Sequence, residues 1–318
     1  MELMSILKSS TSAISNLLTS KVNKCDESII HSLEFLLGQA AILSSRSMYK
    51  SYKMLWDSEV KVFSQWGEDG IIDYLVTLLD ISKPKIVELG VGEFKECNSR
   101  FTAEFRNASV YMVDSNKNLV NYVKTLDLFW KNNLFPIADF ITPESAKKHM
   151  INARTLMGGI DIFSIDLDGN DYWILENLDL TGISILICEY NPIFNEINCT
   201  VPRSDNFERF KAHSSGLYFG MSLKASIFLL DSKGFTFVGT NRAGNNAFFI
   251  MSELKDQISI PLPLIHNLKI FLDWRVRESR DASGCLNYLN VNQAFKIIES
   301  MPVVDPKSGV QKLLRDFK

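Results

Sequence analysis

The apolar positions of this chain follow two periods, and the switch between them sets out its organisation. Up to about residue 60 they recur at helical spacing. Ile29, Leu33, Leu36, Ala40 and Leu43 form one stripe, and Leu3, Leu7, Ile14 and Leu18 a looser one. Residues 1–60 are therefore expected to form a helical arm that packs on the core or on a second subunit. A polar stretch, FSQWGEDG at residues 63–70, leads into an amphipathic helix over 71–79. From Lys85 onward, short β-branched runs alternate with helical segments. Strands are predicted over 85–92, 109–114, 134–138, 160–165 and 183–188, with helices over 98–105, 119–126, 143–153 and 172–178 between them. Five strands alternating with helices imply a parallel sheet with right-handed crossovers. A polar insertion, 193–220, precedes a helix over 221–233. Two further strands, 235–240 and 247–251, flank a turn short enough for antiparallel pairing. Residues 255–318 read as a helical extension, including 264–277 and 291–300. The expected fold is α/β, a doubly wound, mainly parallel seven-stranded sheet over residues 61–254. Its last strand runs antiparallel, and helical extensions lie at both ends.

Composition narrows the functions this chain can serve. Its 318 residues, 46 % hydrophobic, bury one large core with additions or two modest domains. A net charge of −3 without a Lys/Arg block excludes a duplex nucleic-acid binder, which needs a basic face. No apolar run approaches the ~18 residues of a membrane span. The start of the chain carries Glu2 and lacks the apolar segment of a secretory signal. Five scattered cysteines fit a reduced, cytoplasmic setting.

Candidate chemistry gathers where the predicted strands end. The run from Ile160 to Ile165 passes directly into Asp166, Asp168 and Asp171, with Gly169 and Asn170 supplying a turn. Carboxylates at i and i+2 share one side of a strand that keeps its pleat. Capping the next helix would use one aspartate, and three in six residues exceed that need. Glu189 and Asn191 end the neighbouring strand. Asp166, Glu189 and Asn191 thus offer hard oxygen ligands suited to Mg2+ or Mn2+, with Asp168 as general base. An EF-hand reading of DLDGND fails: Asp171 stands where glycine is required, and Asn177 where glutamate closes the loop.

The first strand ends in Glu88-Leu89-Gly90-Val91-Gly92, whose glycines permit a tight turn and close approach of a ligand. The third glycine of a dinucleotide fingerprint is replaced by Lys95, which argues against a nicotinamide enzyme. Asp114 ends the second strand, about 20 residues on, where a carboxylate suits a ribose diol. Asp139-Phe140 ends the third and would give an adenine a polar contact and an apolar face.

The order ELGVG, VDSN, SIDLDGNDYWI, ICEYNP resembles class I S-adenosylmethionine-dependent methyltransferases of the FkbM-like group and related sugar O-methyltransferases. FSQWGEDG and GTNRAGNNAFFI look like pieces of bacterial relatives, and residues 275–288 loosely resemble their tails. The resemblance spans roughly residues 62–290. It implies S-adenosylmethionine as cofactor, with Glu88, Gly90 and Gly92 on its methionine part, Asp114 on the ribose, and Gln65 and Asn98 as lid contacts. It also implies methylation of a sugar hydroxyl, on a nucleotide-activated sugar or a surface-polysaccharide precursor, assisted by a divalent metal. Glu189-Tyr190-Asn191 departs from the adjacent acidic or amide residues of the metal-using relatives. Acceptor recognition is expected in the insertion after Glu189, through Tyr190, Arg203 and Tyr218. The amino-terminal helices are expected to support a homo-oligomer. Two other readings stay open: a metal-independent methyltransferase using Asp168 or His213 as base, and a cofactor-binding assembly subunit without catalysis.

Overall fold

Strands Lys85–Leu89 (β1), Ser109–Asp114 (β2), Leu134–Ala138 (β3), Ile162–Ile165 (β4) and Ile185–Glu189 (β5) run parallel, and Phe235–Thr240 (β6) and Asn246–Met251 (β7) complete the sheet. The computed structural model describes residues 29–272, 279–281 and 283–317. Strand order is β3-β2-β1-β4-β5-β7-β6, with β7 antiparallel to both neighbours. This is the class I methyltransferase arrangement expected from the sequence. The central strands are buried on both faces, so their side chains divide by the two-residue period. Val87, Leu89, Tyr111, Val113 and Phe163 pack against Pro143–Met157 (α6), Asp171–Asn177 (α7) and Leu223–Ser232 (α9). Ile86, Val110, Met112 and Ile162 face the other way, onto Glu68–Leu78 (α2), Arg100–Arg106 (α3) and Asn118–Thr125 (α4). Helix α6 shows why the sequence stops and starts where it does. The Thr142 hydroxyl accepts the Ser145 N–H, Pro143 opens the first turn, and Gly158 ends the helix in the left-handed region.

The arm contains a helix over residues 29–45 (α1). Phe35 and Ile42 pack it onto Phe63 and Phe101. A Cβ on Gly38 would come within 2.4 Å of Val62, so a bare backbone is needed at that crossing. The stripe of Ile29, Leu33, Leu36, Ala40 and Leu43 lies on the outward side instead. The stripe from Leu3 to Leu18 lies outside the described residues.

The carboxyl-terminal extension is helical only in part. Of the predicted helix over 264–277, the described residues 264–272 hold one 3-10 turn, Lys269–Leu272, and those from 273 lie outside the described set. That turn buries Phe271 and Leu272, next to Leu268, in the core. Helix Val291–Ile298 (α10) follows, then an antiparallel pair, Pro302–Val304 (β8) and Gln311–Leu313 (β9). Ile298, Val303 and Leu314 share a small core with Ile193, Phe194, Val201 and Leu217 of the insertion. Among the described residues, no helix is long and apolar enough to cross a membrane.

Candidate active site

Where β1 ends, Gly90 adopts φ +87° and donates its N–H to the Val113 carbonyl at 2.9 Å. A Cβ here would fall 1.6 Å from the carbonyl oxygen of Asp166. The Asp166 N–H in turn donates to the Leu89 carbonyl at 3.0 Å. The glycine turn and the acid turn are thus in direct backbone contact. Gly92, at φ +62°, would point a Cβ into open space. Its N–H donates to Asp114 Oδ2 at 2.7 Å, while Asp114 Oδ1 accepts from Asn116 N–H at 2.8 Å. Glu88 is buried beneath the turn and accepts the N–H groups of Asn98 (2.9 Å) and Ser99 (3.0 Å). Burial pushes its pKa up despite those bonds. The Asn98 amide donates to Ser164 Oγ at 3.1 Å. Asp139 is half-exposed at the end of β3, with Oδ2 2.9 Å from His149 Nε2, and His149 Nδ1 lies 3.0 Å from the Tyr111 hydroxyl.

Gln65 stands exposed in the loop before α2. Two buried carboxylates hold that loop. Asp69 Oδ2 accepts the N–H groups of Val62, Phe63 and Ser64, each at 2.8 Å. Glu68 accepts from Trp66 N–H and from the amides of Asn241 and Asn246. Asn246 is the ladder partner of Glu189, so FSQWGEDG and the β6–β7 turn meet beside the end of β5.

The acids converge, by a route other than the strand pleat. Asp166, Asp168 and Glu189 each offer a carboxylate oxygen, all within 4.8 Å of one another. Strand β4 stops at Ile165, and the chain turns with Asp168 at φ +56°. Asp171 closes this turn by accepting the N–H groups of Leu167 (2.9 Å) and Gly169 (3.0 Å). Burial pushes its pKa up to about 6. The structural role weighed for this aspartate cluster therefore falls to Asp171.

Asn191, expected as a ligand, is engaged by the chain itself. Its amide donates to the Leu217 and Phe219 carbonyls at 2.9 and 3.1 Å, and its Oδ1 accepts Ile193 N–H at 3.1 Å. Those bonds tie β5 to the insertion and use both N–H donors of the amide. Tyr190 and Tyr218 are corrected as acceptor residues for the same reason. Both are buried, with hydroxyls donated to the carbonyls of Phe271 and Pro302. Arg203 is half-exposed and pairs with Glu144 at 3.0 Å. His213 bonds Ser215 Oγ at 2.8 Å, and burial lowers its pKa.

Crowding governs the electrostatics of the acid turn. Burial first, then the charges of Asp168 and Asp171, raise Asp166 well above the carboxylate range. Burial, then Asp166 and Asp168, raise Glu189 likewise. Glu189 Oε2 is buried without a hydrogen-bond partner. The insertion supplies a cation that the sequence reading missed. Arg209, opening the short helix Arg209–Ala212 (α8), donates to Asp168 Oδ1 at 2.6 Å with its guanidinium 3.8 Å above the Phe219 ring. Phe207 lies so close over Gly169 that a Cβ there would come within 2.3 Å of its ring. Ser204 N–H donates to Asn170 Oδ1 at 3.2 Å, completing the dock. Gly169 carried the only local sign of this docking, a residue with no side chain inside an acidic turn.

The donor set fits a hard divalent cation: three carboxylates, one with an unmatched buried oxygen, and no sulfur or imidazole among them. The open space over Gly92 beside Asp114 fits a ribose-bearing ligand held close to backbone.

No family model matches the chain, and no curated protein does. Solved structures with a similar fold include the N-terminal domain of EvdMO1 with SAH bound, 10 % identical, with a TM-score of 0.36 over 55 % of this chain and 75 % of that one. A methyltransferase from Geobacter sulfurreducens is 18 % identical, with a TM-score of 0.30 over 56 % and 75 %. The cyclopropane synthase MmaA2 from Mycobacterium tuberculosis is 11 % identical, with a TM-score of 0.33 over 59 % and 68 %.

Proposed function

We propose that this protein is an S-adenosylmethionine-dependent O-methyltransferase acting on a sugar hydroxyl, with a divalent cation at the acid turn. The observation that carries the reading is the backbone contact between Gly90 and Asp166. A donor held at the glycine turn would lie beside the acid turn, whose backbone touches it. Bound S-adenosylmethionine supplies an electrophilic methyl group on a sulfonium. The chain's task is then to align an acceptor oxygen and remove its proton. Alignment of this kind is worth on the order of 7–11 kcal/mol in well-oriented cases.

Asp114 and Gly92 hold the ribose end, while Glu88 fixes the turn through the Asn98 and Ser99 N–H groups. Asp168 would take the proton of the acceptor hydroxyl as its oxygen gains the methyl group, the methyl–sulfur bond breaking and S-adenosylhomocysteine leaving as a neutral thioether. Arg209 orients Asp168 Oδ1 for this role. A positioned base contributes on the order of 10²–10⁴-fold. Asp166 and Glu189 would hold Mg2+ or Mn2+, which supplies Lewis acidity to an otherwise poor aliphatic nucleophile. The sugar class of acceptor rests on the sequence resemblance.

Calorimetric titration with S-adenosylmethionine tests the cofactor, with Asp114→Ala expected to weaken binding; absence of binding to the wild type overturns the proposal. A screen of nucleotide sugars for the mass gain of one methyl group identifies the acceptor. Chelator should abolish that gain and Mg2+ restore it. Full turnover in chelator removes the metal and leaves Asp168 with Arg209 as the whole apparatus.

A further inference from the structure

Helix α6 buries Pro143, Ala146, Met150, Ala153 and Met157, and among them one polar side chain, His149. Its partner across the core, Tyr111 of β2, is fully buried. Together they reach a single half-exposed carboxylate. The Tyr111 hydroxyl lies 3.0 Å from His149 Nδ1, and Nε2 lies 2.9 Å from Asp139 Oδ2. An ionised carboxylate only accepts, so Nε2 carries the ring proton and Nδ1 accepts from Tyr111. An exposed ion pair adds little stability, so what the buried pair supplies to Asp139 is direction. We propose that Tyr111 and His149 are positioning residues of the donor site, holding the Asp139 carboxylate where it reads the 6-amino group of a purine. The inference rests on the methyltransferase reading above and names the residues that select the donor's base.

The sheet fixes where the base lies. In the order β3-β2-β1-β4-β5, the acid turn stands on one side of Gly90 and β3 on the other. A ligand with its reactive end toward the acids and its ribose at Asp114 extends its base toward β3. Asp139 stands there. Its N–H donates to the Asp114 carbonyl at 2.9 Å, continuing the β2–β3 ladder past Ala138. Neighbouring strand ends are about 4.8 Å apart, a step that one nucleoside spans. Phe140 follows, 48 % exposed, and offers a ring an apolar face. His149 takes Oδ2, which leaves Oδ1 for the ligand. Orientation then separates one base from another. Adenine presents N–H donors at position 6 beside an acceptor at N1, whereas a 6-oxo purine presents an oxygen there and its N–H at N1. A carboxylate free to turn accepts from either. One fixed on position 6 meets the oxo group acceptor to acceptor.

Calorimetry of the full chain with S-adenosylhomocysteine and with S-inosylhomocysteine, its 6-oxo counterpart, tests this. The wild type should prefer the adenosyl ligand on the order of 10- to 100-fold. His149→Ala should cut that ratio about fivefold or more, by weakening the adenosyl ligand alone. His149→Gln, which retains a side-chain N–H donor, should recover part of it. Tyr111→Phe keeps the ring and removes only the hydroxyl, so it carries the test should His149→Ala fail to fold, and the ratio should fall again. A merely structural role would lower both affinities together. A wild type without preference, a ratio unchanged in both His149→Ala and Tyr111→Phe, or an equal loss of the two ligands overturns the inference and leaves the methyltransferase reading standing. A wild type that binds neither ligand removes that reading and the inference with it.

Discussion

On the β1–β2 side of the carboxyl edge, Glu88 and Asp114 each accept two backbone N–H groups, and their charge is spent on shaping a turn. On the β4–β5 side, Asp166, Asp168 and Glu189 crowd one another, and one oxygen of Glu189 has no donor at all. The two groups are neighbours, joined through Gly90 and Asp166. A carboxylate matched to N–H donors supports the fold. Carboxylates packed against like charge oppose it, and such a cluster is retained where a ligand or a reaction uses it. On the proposed function, the first side is the donor's cradle and the second the reacting centre.

Separating the two by mutation is the strongest test. Asp168→Asn removes the base and leaves the cradle intact, so kcat should fall on the order of 10²–10⁴-fold. Calorimetric affinity for S-adenosylmethionine should hold within about twofold. An equal fall in both would mean that the division is false.

Two glycines one residue apart, Gly90 and Gly92, probe the junction. Gly90→Ala drives a methyl group into the backbone carbonyl of Asp166 at a positive φ. Chemical denaturation should show a loss of about 3 kcal/mol or more, together with loss of donor binding. Gly92→Ala meets open space, so only the left-handed conformation counts, at about 1–2 kcal/mol. Its effect should appear chiefly in donor affinity. Equal stability losses would contradict the contact geometry.

Like-charge crowding predicts the opposite sign of stability change. With pKa values raised in the folded state, Asp166 and Glu189 bind protons more tightly folded than unfolded. Their contribution favours folding at low pH and is lost as pH rises from the ordinary carboxylate range through the raised values. Glu189→Gln should therefore stabilise the metal-free protein at neutral pH by about 1–2 kcal/mol, raising Tm by about 2–4 °C. Mg2+ should raise the wild-type Tm and leave that of the variant unchanged. A variant less stable than wild type across pH 5–8 would show that the acids are matched in the fold.

How much of this was legible in the sequence follows from the range of the interactions. The strands and their order of use could be read because β-branched runs are local signals, and the acids could be read because they directly follow them. The contact of the glycine turn with Asp114 followed from two glycines and one aspartate at known spacing. The insertion could not be read. Arg209 meets Asp168 across 41 residues, and the Tyr190 hydroxyl finds a carbonyl 81 residues away. No period marks such packing, so buried tyrosines passed for binding residues and a docked arginine passed unnoticed. Asn191 offers an oxygen by chemistry, but its amide N–H groups bond carbonyls of a later segment and its oxygen accepts the Ile193 N–H. In the arm, periodicity found the helix but could not show which side the body would hold.

The smallest effect belongs to Arg203, and it separates the two arginines of the insertion. Arg203 and Glu144 are both largely in solvent, an ion pair of the kind worth at most about 1 kcal/mol. Arg209 is mostly buried, stacks on Phe219 and holds Asp168. Arg203→Ala should therefore shift stability by less than about 0.5 kcal/mol in denaturant titration. Arg209→Ala should lower kcat by freeing the base and leave donor affinity unchanged. If instead Arg203→Ala raises the acceptor KM severalfold, an acceptor phosphate is bound at the exposed end of the insertion, and the reacting centre extends further from the acids than their geometry indicates.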